Sequence, residues 1–147
     1  TGGCGFIGSN LVKSLNSLKK KNILIVDTIT KKKKKNLKRL KYQKIENKEI
    51  FLKKLSNGNY DNKISIIFHY GACSDTTNTN WDYLYKNNYL YSKKLIQFAI
   101  KNKIKILYAS SASIYGLNAD NQKENSLNYK PINYYAKTKF LVDKFVK

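Results

Sequence analysis

Thr1-Gly-Gly-Cys-Gly-Phe-Ile-Gly8 is the stretch on which the fold turns. Glycines at 2, 5 and 8 let the backbone turn tightly and come close to a pyrophosphate. The residues that follow read as a helix over 7–18, whose N-terminal amides would hold the negative charge. Glycine spacing by itself is a weak signal, because Gly-rich turns are common. Asp27 strengthens it. It lies 19 positions after Gly8 and closes the apolar run Asn22-Ile-Leu-Ile-Val-Asp27, where an acid is placed to accept a hydrogen bond from an adenosine ribose hydroxyl.

Two further runs, Ile64-Ser-Ile-Ile-Phe68 and Ile104-Lys-Ile-Leu-Tyr108, share the short, β-branched, apolar character of residues 22–27 and predict buried parallel strands. Helical patterns fill the intervals over 48–55 and 81–101, the latter with Leu84, Asn88, Leu95, Phe98 and Ala99 near helical spacing. A last helix is predicted over 133–147, just after Pro131. Strands alternating with helices make the fold class α/β, a Rossmann-like doubly wound parallel sheet with right-handed connections. At 147 residues the chain has the length of about one domain, read as a dinucleotide-binding domain over residues 1–147. There is no Met, and a glycine turn that normally follows a strand opens the sequence. The expectation is therefore a fragment lacking its first strand and its C-terminal substrate region, and inactive by itself.

A formal charge of +20 ordinarily raises nucleic acid or an anionic membrane as partner. Here Lys, Asn, Ile and Tyr, all with A/T-rich codons, make up half the chain, whereas Arg and Pro occur once each. The charge is read as compositional drift over a solvated surface, with neither nucleic acid nor membrane as partner. No apolar run approaches the ~20 residues of a membrane span and no leader pattern opens the chain, so the expected location is cytoplasmic. Cys4 and Cys73 lie far apart and form no C-x-x-C or metal-ligand spacing, so neither a disulfide scaffold nor a metal site is expected.

Tyr135-Ala-Lys-Thr-Lys139 sets a phenol and an ammonium four apart, on one face of the last helix. A nearby cation lowers a phenol's pKa toward the range of a general base or acid. With 12 Tyr in a lysine-rich chain, such a match also arises by chance. Ser111 gives it weight. It stands in Ser110-Ser-Ala-Ser-Ile-Tyr-Gly116, just past the run 104–108, at the strand ends where doubly wound sheets bind ligands.

Together these residues resemble the extended short-chain dehydrogenase/reductase family, the NAD-dependent epimerases and dehydratases. Its pattern is T-G-x-x-G-x-x-G, an acid after the second strand and a Ser/Tyr/Lys set. Phe68-His-Tyr-Gly-Ala-Cys-Ser-Asp-Thr-Thr77, Asn87-Asn-Tyr-Leu-Tyr-Ser-Lys-Lys-Leu95 and Leu107-Tyr-Ala-Ser-Ser-Ala-Ser-Ile-Tyr-Gly116 narrow the likeness to its ADP-heptose 6-epimerases over nearly the whole chain. The resemblance implies epimerisation at C6 of an ADP-activated manno-heptose, by transient oxidation and hydride return with NADP, for lipopolysaccharide core precursors. It also implies a homo-oligomer when complete. UDP-sugar 4-epimerases and nucleotide-sugar dehydratases share the same set.

Residue by residue, the resemblance puts Gly2, Gly5, Phe6, Ile7 and Gly8 at the pyrophosphate turn and Asp27 with Thr28 at the adenosine ribose. It puts Lys48 and the loop Tyr70, Gly71, Ala72, Cys73 and Ser74 along the cofactor, with Asn87 behind it. Ser111, Tyr135 and Lys139 would be catalytic, Lys139 also meeting the nicotinamide ribose, and a second acid/base, a Lys, would lie outside these residues. A lysine of the tract 31–35 would meet the 2′-phosphate, with Lys33 and Lys34 both open. Tyr70 stands where the family usually has an acid, and Thr28 where it usually has Asn. His69, the only histidine, ends an apolar strand and reads as structural. Cys73 has no base nearby in the sequence and reads as a small packing residue. Trp81 and the tyrosines read as core and surface filler.

Overall fold

In the computed structural model, which describes residues 1–117 and 129–147, the elements run α1 (Phe6–Ser17), β1 (Leu24–Asp27), α2 (Lys31–Lys34), β2 (Lys44–Asn47), α3 (Lys48–Ser56), β3 (Ile66–His69), α4 (Trp81–Leu84), α5 (Tyr91–Lys101), β4 (Lys105–Tyr108) and α6 (Tyr134–Val146). Asparagine, so abundant in the composition, supplies helix starts. The side chains of Asn47, Asn80 and Asn133 accept hydrogen bonds from the amides of Glu49, Tyr83 and Ala136 at 2.9, 2.9 and 2.8 Å, capping α3, α4 and α6. α1 ends at Ser17, and two residues on Lys19, with φ of 59°, lets the amides of Lys19 and Lys20 turn back onto the carbonyls of Asn16 and Leu15.

The chain divides into two compact units. The first comprises Thr1–Gly71 and Phe98–Tyr108. In it β1 pairs in parallel with β2, Leu24 opposite Lys44 through Asp27 opposite Asn47, and β3 pairs in parallel with β4, Ile66 opposite Lys105 through His69 opposite Tyr108. Parallel strands joined through helices are the Rossmann-like α/β arrangement read from the sequence. Cys4, Val12, Ile25 and Leu37 form a buried cluster against which Ile23, Leu40, Tyr42 and Ile45 pack.

The strands form two separate two-stranded sheets. A groove of about 910 Å³ is lined by β1 and β3 together with Val12, Leu15 and Phe51. Thr1 and Gly2 bridge the two sheets: Gly2 N–H donates to Val26 O at 2.8 Å, the Thr1 amino group to Phe68 O, and Tyr70 N–H to Thr1 O at 3.2 Å. His69, 2% exposed, shares a 2.6 Å hydrogen bond with Thr1 Oγ1, in keeping with a structural histidine.

β2 is a strand the sequence reading did not include. Lys44-Ile-Glu-Asn47 has no apolar alternation, because its inward position is Glu46. This carboxylate is 5% exposed and accepts hydrogen bonds from Lys44 Nζ at 3.0 Å, Tyr60 OH at 2.6 Å and Lys54 Nζ. Burial alone would raise its pKa, but the three donors outweigh it and hold the carboxyl at about 2. Tyr60, half-buried and bonded to Glu46, is pushed up to about 12.

The second unit comprises Ala72–Gln97 and Ala109–Lys147. Residues 81–101 do not form one regular helix: α4 passes into a π-helical segment, Tyr85–Leu90, before α5 begins. The buried side of this stretch in the second unit is Leu84, Asn88, Tyr91, Ser92, Leu95 and Ile96. Trp81 stacks on Tyr85 at 5.4 Å and meets the edge of Tyr134 at 5.5 Å, which seats the start of α6. No helix among the described residues is long and apolar enough to cross a membrane.

Candidate functional site

In the first unit the glycine turn is fixed by backbone approach. Gly2 has φ of +73°, and a Cβ there would lie 2.6 Å from the nitrogen of Gly71. A Cβ on Gly8 would lie 2.2 Å from Gly2 O and 2.7 Å from the Cα of Gly3. Only glycine leaves this concavity open. α1 starts at Gly5 without a side-chain cap, and Phe6 and Ile7 at its first turn are 82% and 65% exposed. The mouth of the turn therefore presents uncapped amides beside bare apolar surface, the chemistry that receives a phosphate ester.

Asp27 closes one side. Its carboxylate, 7% exposed, accepts Cys4 N–H at 2.9 Å, Thr28 N–H at 2.7 Å and the ammonium of Lys33 at 2.8 Å. Burial and the same carboxylate push the Cys4 thiol above its usual range. α2 is capped by Thr30, whose hydroxyl accepts Lys33 N–H at 3.2 Å, and Asn36 donates to Cys4 O at 2.8 Å. The lysine tract is thus docked onto the glycine turn, with Lys33 on Asp27 and Lys34 exposed. Thr28 is also exposed, and Lys48, half-buried at the start of α3, pairs with Glu49 at 3.7 Å. Tyr70 and Gly71 end the first unit beside the turn, Gly71 lying 3.0 Å, measured from an added Cβ, from Gly2 N.

In the second unit, Lys139 is 5% exposed and donates to Ala109 O at 2.7 Å, two residues before Ser111. Burial pulls its pKa down to about 8, partly offset by the carboxylate of Asp143 one turn on. Asp143 accepts the hydroxyl of Ser110 at 2.6 Å. Ser111 Oγ shares a 2.8 Å hydrogen bond with Ser113 Oγ and accepts Ser113 N–H at 3.3 Å, which caps the short turn Ala112–Tyr115 that packs against α6. Tyr135, half-buried, is one turn before Lys139 on α6. Ser111, Tyr135 and Lys139 therefore belong to one packed unit, as do Ala72, Cys73 and Ser74.

Asn87 donates to Tyr83 O at 2.7 Å, within its own helix. Its neighbour Asn88, to which the sequence reading gave no role, holds the loop: Cys73 N–H donates to Asn88 Oδ1 at 2.8 Å, and Asn88 Nδ2 donates to Cys73 O at 3.0 Å and to Thr138 Oγ1 at 3.1 Å. The available signal was a carboxamide on the apolar side of the 81–101 pattern. Asn36, Thr138 and Asp143 were also without a role in the sequence reading. Among the described residues, no three His, Cys, Asp or Glu side chains group to hold a metal ion.

Residues 1–147 match the NAD dependent epimerase/dehydratase family. A curated relative, the ADP-L-glycero-D-manno-heptose-6-epimerase of Brachyspira hyodysenteriae, is 45% identical over 148 residues, covering 99% of this chain and 46% of that protein. The crystal structure of the Helicobacter pylori ADP-L-glycero-D-manno-heptose-6-epimerase superposes with a TM-score of 0.83 at 30% identity, covering 99% of this chain and 48% of that one. The Bordetella bronchiseptica enzyme WbmG, crystallised with NAD and UDP, superposes with a TM-score of 0.81 at 23% identity over 99% of this chain and 47% of its own, a likeness of fold alone. The chain spans about half the length of these relatives.

Proposed function

The chain belongs to the NAD dependent epimerase/dehydratase family, and from that premise we propose that it supplies the nucleotide-binding and catalytic residues of an NADP-dependent epimerase acting at C6 of an ADP-activated manno-heptose. The observation that carries this reading is 45% identity, along 99% of the chain, to a protein of that activity. The concavity at Gly2 and Gly8, which a Cβ would fill, fits the pyrophosphate of a nicotinamide nucleotide.

A bound nicotinamide nucleotide would supply reversible hydride transfer, so that the carbinol could be oxidised and then reduced on its opposite face with no net redox change. The chain's own residues handle the proton and the orientation. Tyr135 would take the hydroxyl proton as hydride leaves, and the return on the opposite face would use a second acid/base, the Lys that the family resemblance puts outside these residues. Lys139, cationic near neutral pH and held at Ala109 O, favours the phenolate, and Ser111 exchanges its bond to Ser113 for one to the reacting oxygen. In the first unit Lys33 neutralises Asp27, an acid that by itself repels a 2′-phosphate. Lys33 is thereby favoured over Lys34 as the phosphate's partner, which supports NADP over NAD. The same proposal has the enzyme that carries these residues working in the cytoplasm, as a homo-oligomer, in the supply of heptose precursors for lipopolysaccharide.

The test is to incubate the enzyme carrying these residues with an ADP-activated manno-heptose and, separately, with UDP-glucose, and to follow configuration by NMR. Inversion at C6 of the heptose is expected. Inversion at C4 of the glucose with no change in the heptose would replace this reading with that of a UDP-sugar 4-epimerase.

A further inference from the structure

A carboxylate taken out of water needs donors or a cation beside it, and a buried ammonium needs an anion for the same reason. The second unit holds both, one turn apart on α6: Lys139 is 5% exposed and Asp143 9%. Each reaches the segment just before Ser111. Lys139 Nζ donates to Ala109 O at 2.7 Å, and the hydroxyl of Ser110 donates to Asp143 Oδ2 at 2.6 Å. Successive turns of α6 thus grip the successive residues 109 and 110, and Ser111 is the next in the chain. An ammonium carries several N–H donors, so the carbonyl of Ala109 satisfies one of them and balances none of the charge.

Beside burial, which lowers the pKa of Lys139, the charge that acts on it is the carboxylate of Asp143, which raises it. The elements packed against α6 bring Asp82 and Tyr83 of α4, Tyr85, Lys86 and Tyr89 of the π-helical segment, and Tyr115 of the turn 112–115. Their one acid, Asp82, is exposed, as are Lys86 and, on α6 itself, Lys137 and Lys144. Asp143 is the buried counter-charge.

We propose that Asp143 is a positioning residue, which ties Ser110 to α6 so that Ser111 keeps its register with Lys139, and whose negative charge keeps the buried Lys139 cationic. The proposal rests on the reading that Ser111, Tyr135 and Lys139 share one reaction centre, where an ammonium and not an amine favours the phenolate.

Two variants separate the charge from the tie. Asp143→Asn keeps the shape and an oxygen for Ser110 and removes the charge, whereas Ser110→Ala removes the tie and keeps the charge. In nucleotide-free enzyme carrying these residues and isotope-labelled in lysine, NMR follows the titration of Lys139 Nζ, assigned by its loss in Lys139→Met. It should titrate at about 8 in the parent, apart from ordinary lysines at ~10.4. It is expected about one unit lower in Asp143→Asn, and within about 0.3 unit of the parent in Ser110→Ala and in Asp143→Glu, which restores the charge. The alkaline limb of kcat for the epimerisation should move down with it in Asp143→Asn, whereas Ser110→Ala should lower kcat about tenfold at every pH, the scale of one lost hydrogen bond to a charged group. An unshifted Lys139 in Asp143→Asn would overturn the proposal. So would an equal drop in Ser110→Ala, which makes packing and not charge the cause, or full kcat in that variant. A parent that inverts no ADP-activated heptose while Lys139 shifts as stated removes the proposed activity and leaves the pairing of Asp143 with Lys139 standing.

Discussion

In the first unit the groups that would meet the nucleotide are backbone atoms held by what is missing: no Cβ at Gly2 or Gly8, no side-chain cap on α1. In the second unit they are side chains held by buried polar partners, with Asn88, Thr138, Lys139 and Asp143 all 9% exposed or less. The comparison teaches where each is fragile. A glycine turn tolerates no added atom, whereas a polar network tolerates exchange of shape but not of hydrogen-bonding sense.

The largest expected effect strikes the second unit's chemistry and spares the first. In the enzyme carrying these residues, Tyr135→Phe keeps the ring and loses the ionisable oxygen, so turnover should fall by roughly 10²–10⁴ while NADP affinity is retained. Steady-state kinetics beside a binding titration checks both halves, and wild-type turnover would remove Tyr135 as the acid/base. Gly8→Ala does the reverse. A Cβ 2.2 Å from a backbone oxygen cannot be relieved by a side-chain rotation, so a loss of about 3 kcal/mol or more is expected in denaturant melts. A variant as stable as the parent would show that the turn is looser than its glycines imply.

The first unit also carries a side-chain network of its own at Glu46, which sharpens the contrast. Its carboxyl titrates at about 2 in the fold against 4.5 ordinarily, so its contribution is complete above pH 4.5 and disappears as pH falls through about 2. That contribution is about 3 kcal/mol, and Glu46→Gln should flatten the acid limb of the stability profile over this window. An unchanged acid limb would mean that the three donors do not hold Glu46 in solution.

The smallest effect concerns the groove between β1 and β3. Joining an apolar, β-forming segment of about five residues to the amino side of Thr1 offers both strand edges a partner and covers apolar side chains. A net gain of even ~2 kcal/mol raises the melting temperature by roughly 4–8 °C in a chain of this size. A segment that leaves the melting temperature unchanged would show that the groove does not accept a strand.

Much of this was legible in the sequence, for reasons that differ by residue. Gly2 and Gly8 were readable as a tight turn because a close backbone approach leaves glycine as the sole choice, whereas the bonds of Asp27 to Cys4 N–H, Thr28 N–H and Lys33 have no signal in the letters. β2 was hidden because its buried position is a charge, Glu46, whose partners Lys54 and Tyr60 are distant in sequence and give no periodic signal. The five lysines 31–35 are identical as letters; only the Thr30 cap and the Asn36 bond to Cys4 O set Lys33, and not Lys34, against Asp27. Asn87 and Asn88 are likewise the same letter one step apart, and which of the two faces inward depends on the π-helical segment, which no spacing rule of a regular helix contains.

The measurement that bears most directly on the central claim is a parallel titration of the enzyme carrying these residues with NADP and with NAD, repeated for Lys33→Ser and for serine at all five positions 31–35. The account predicts tighter NADP binding in the parent, an advantage on the order of 10–100-fold from charge-assisted contacts to the 2′-phosphate. Most of that advantage should be lost in Lys33→Ser and little should remain in the fivefold variant, with NAD affinity nearly constant throughout. Equal affinity for the two nucleotides in the parent would contradict it.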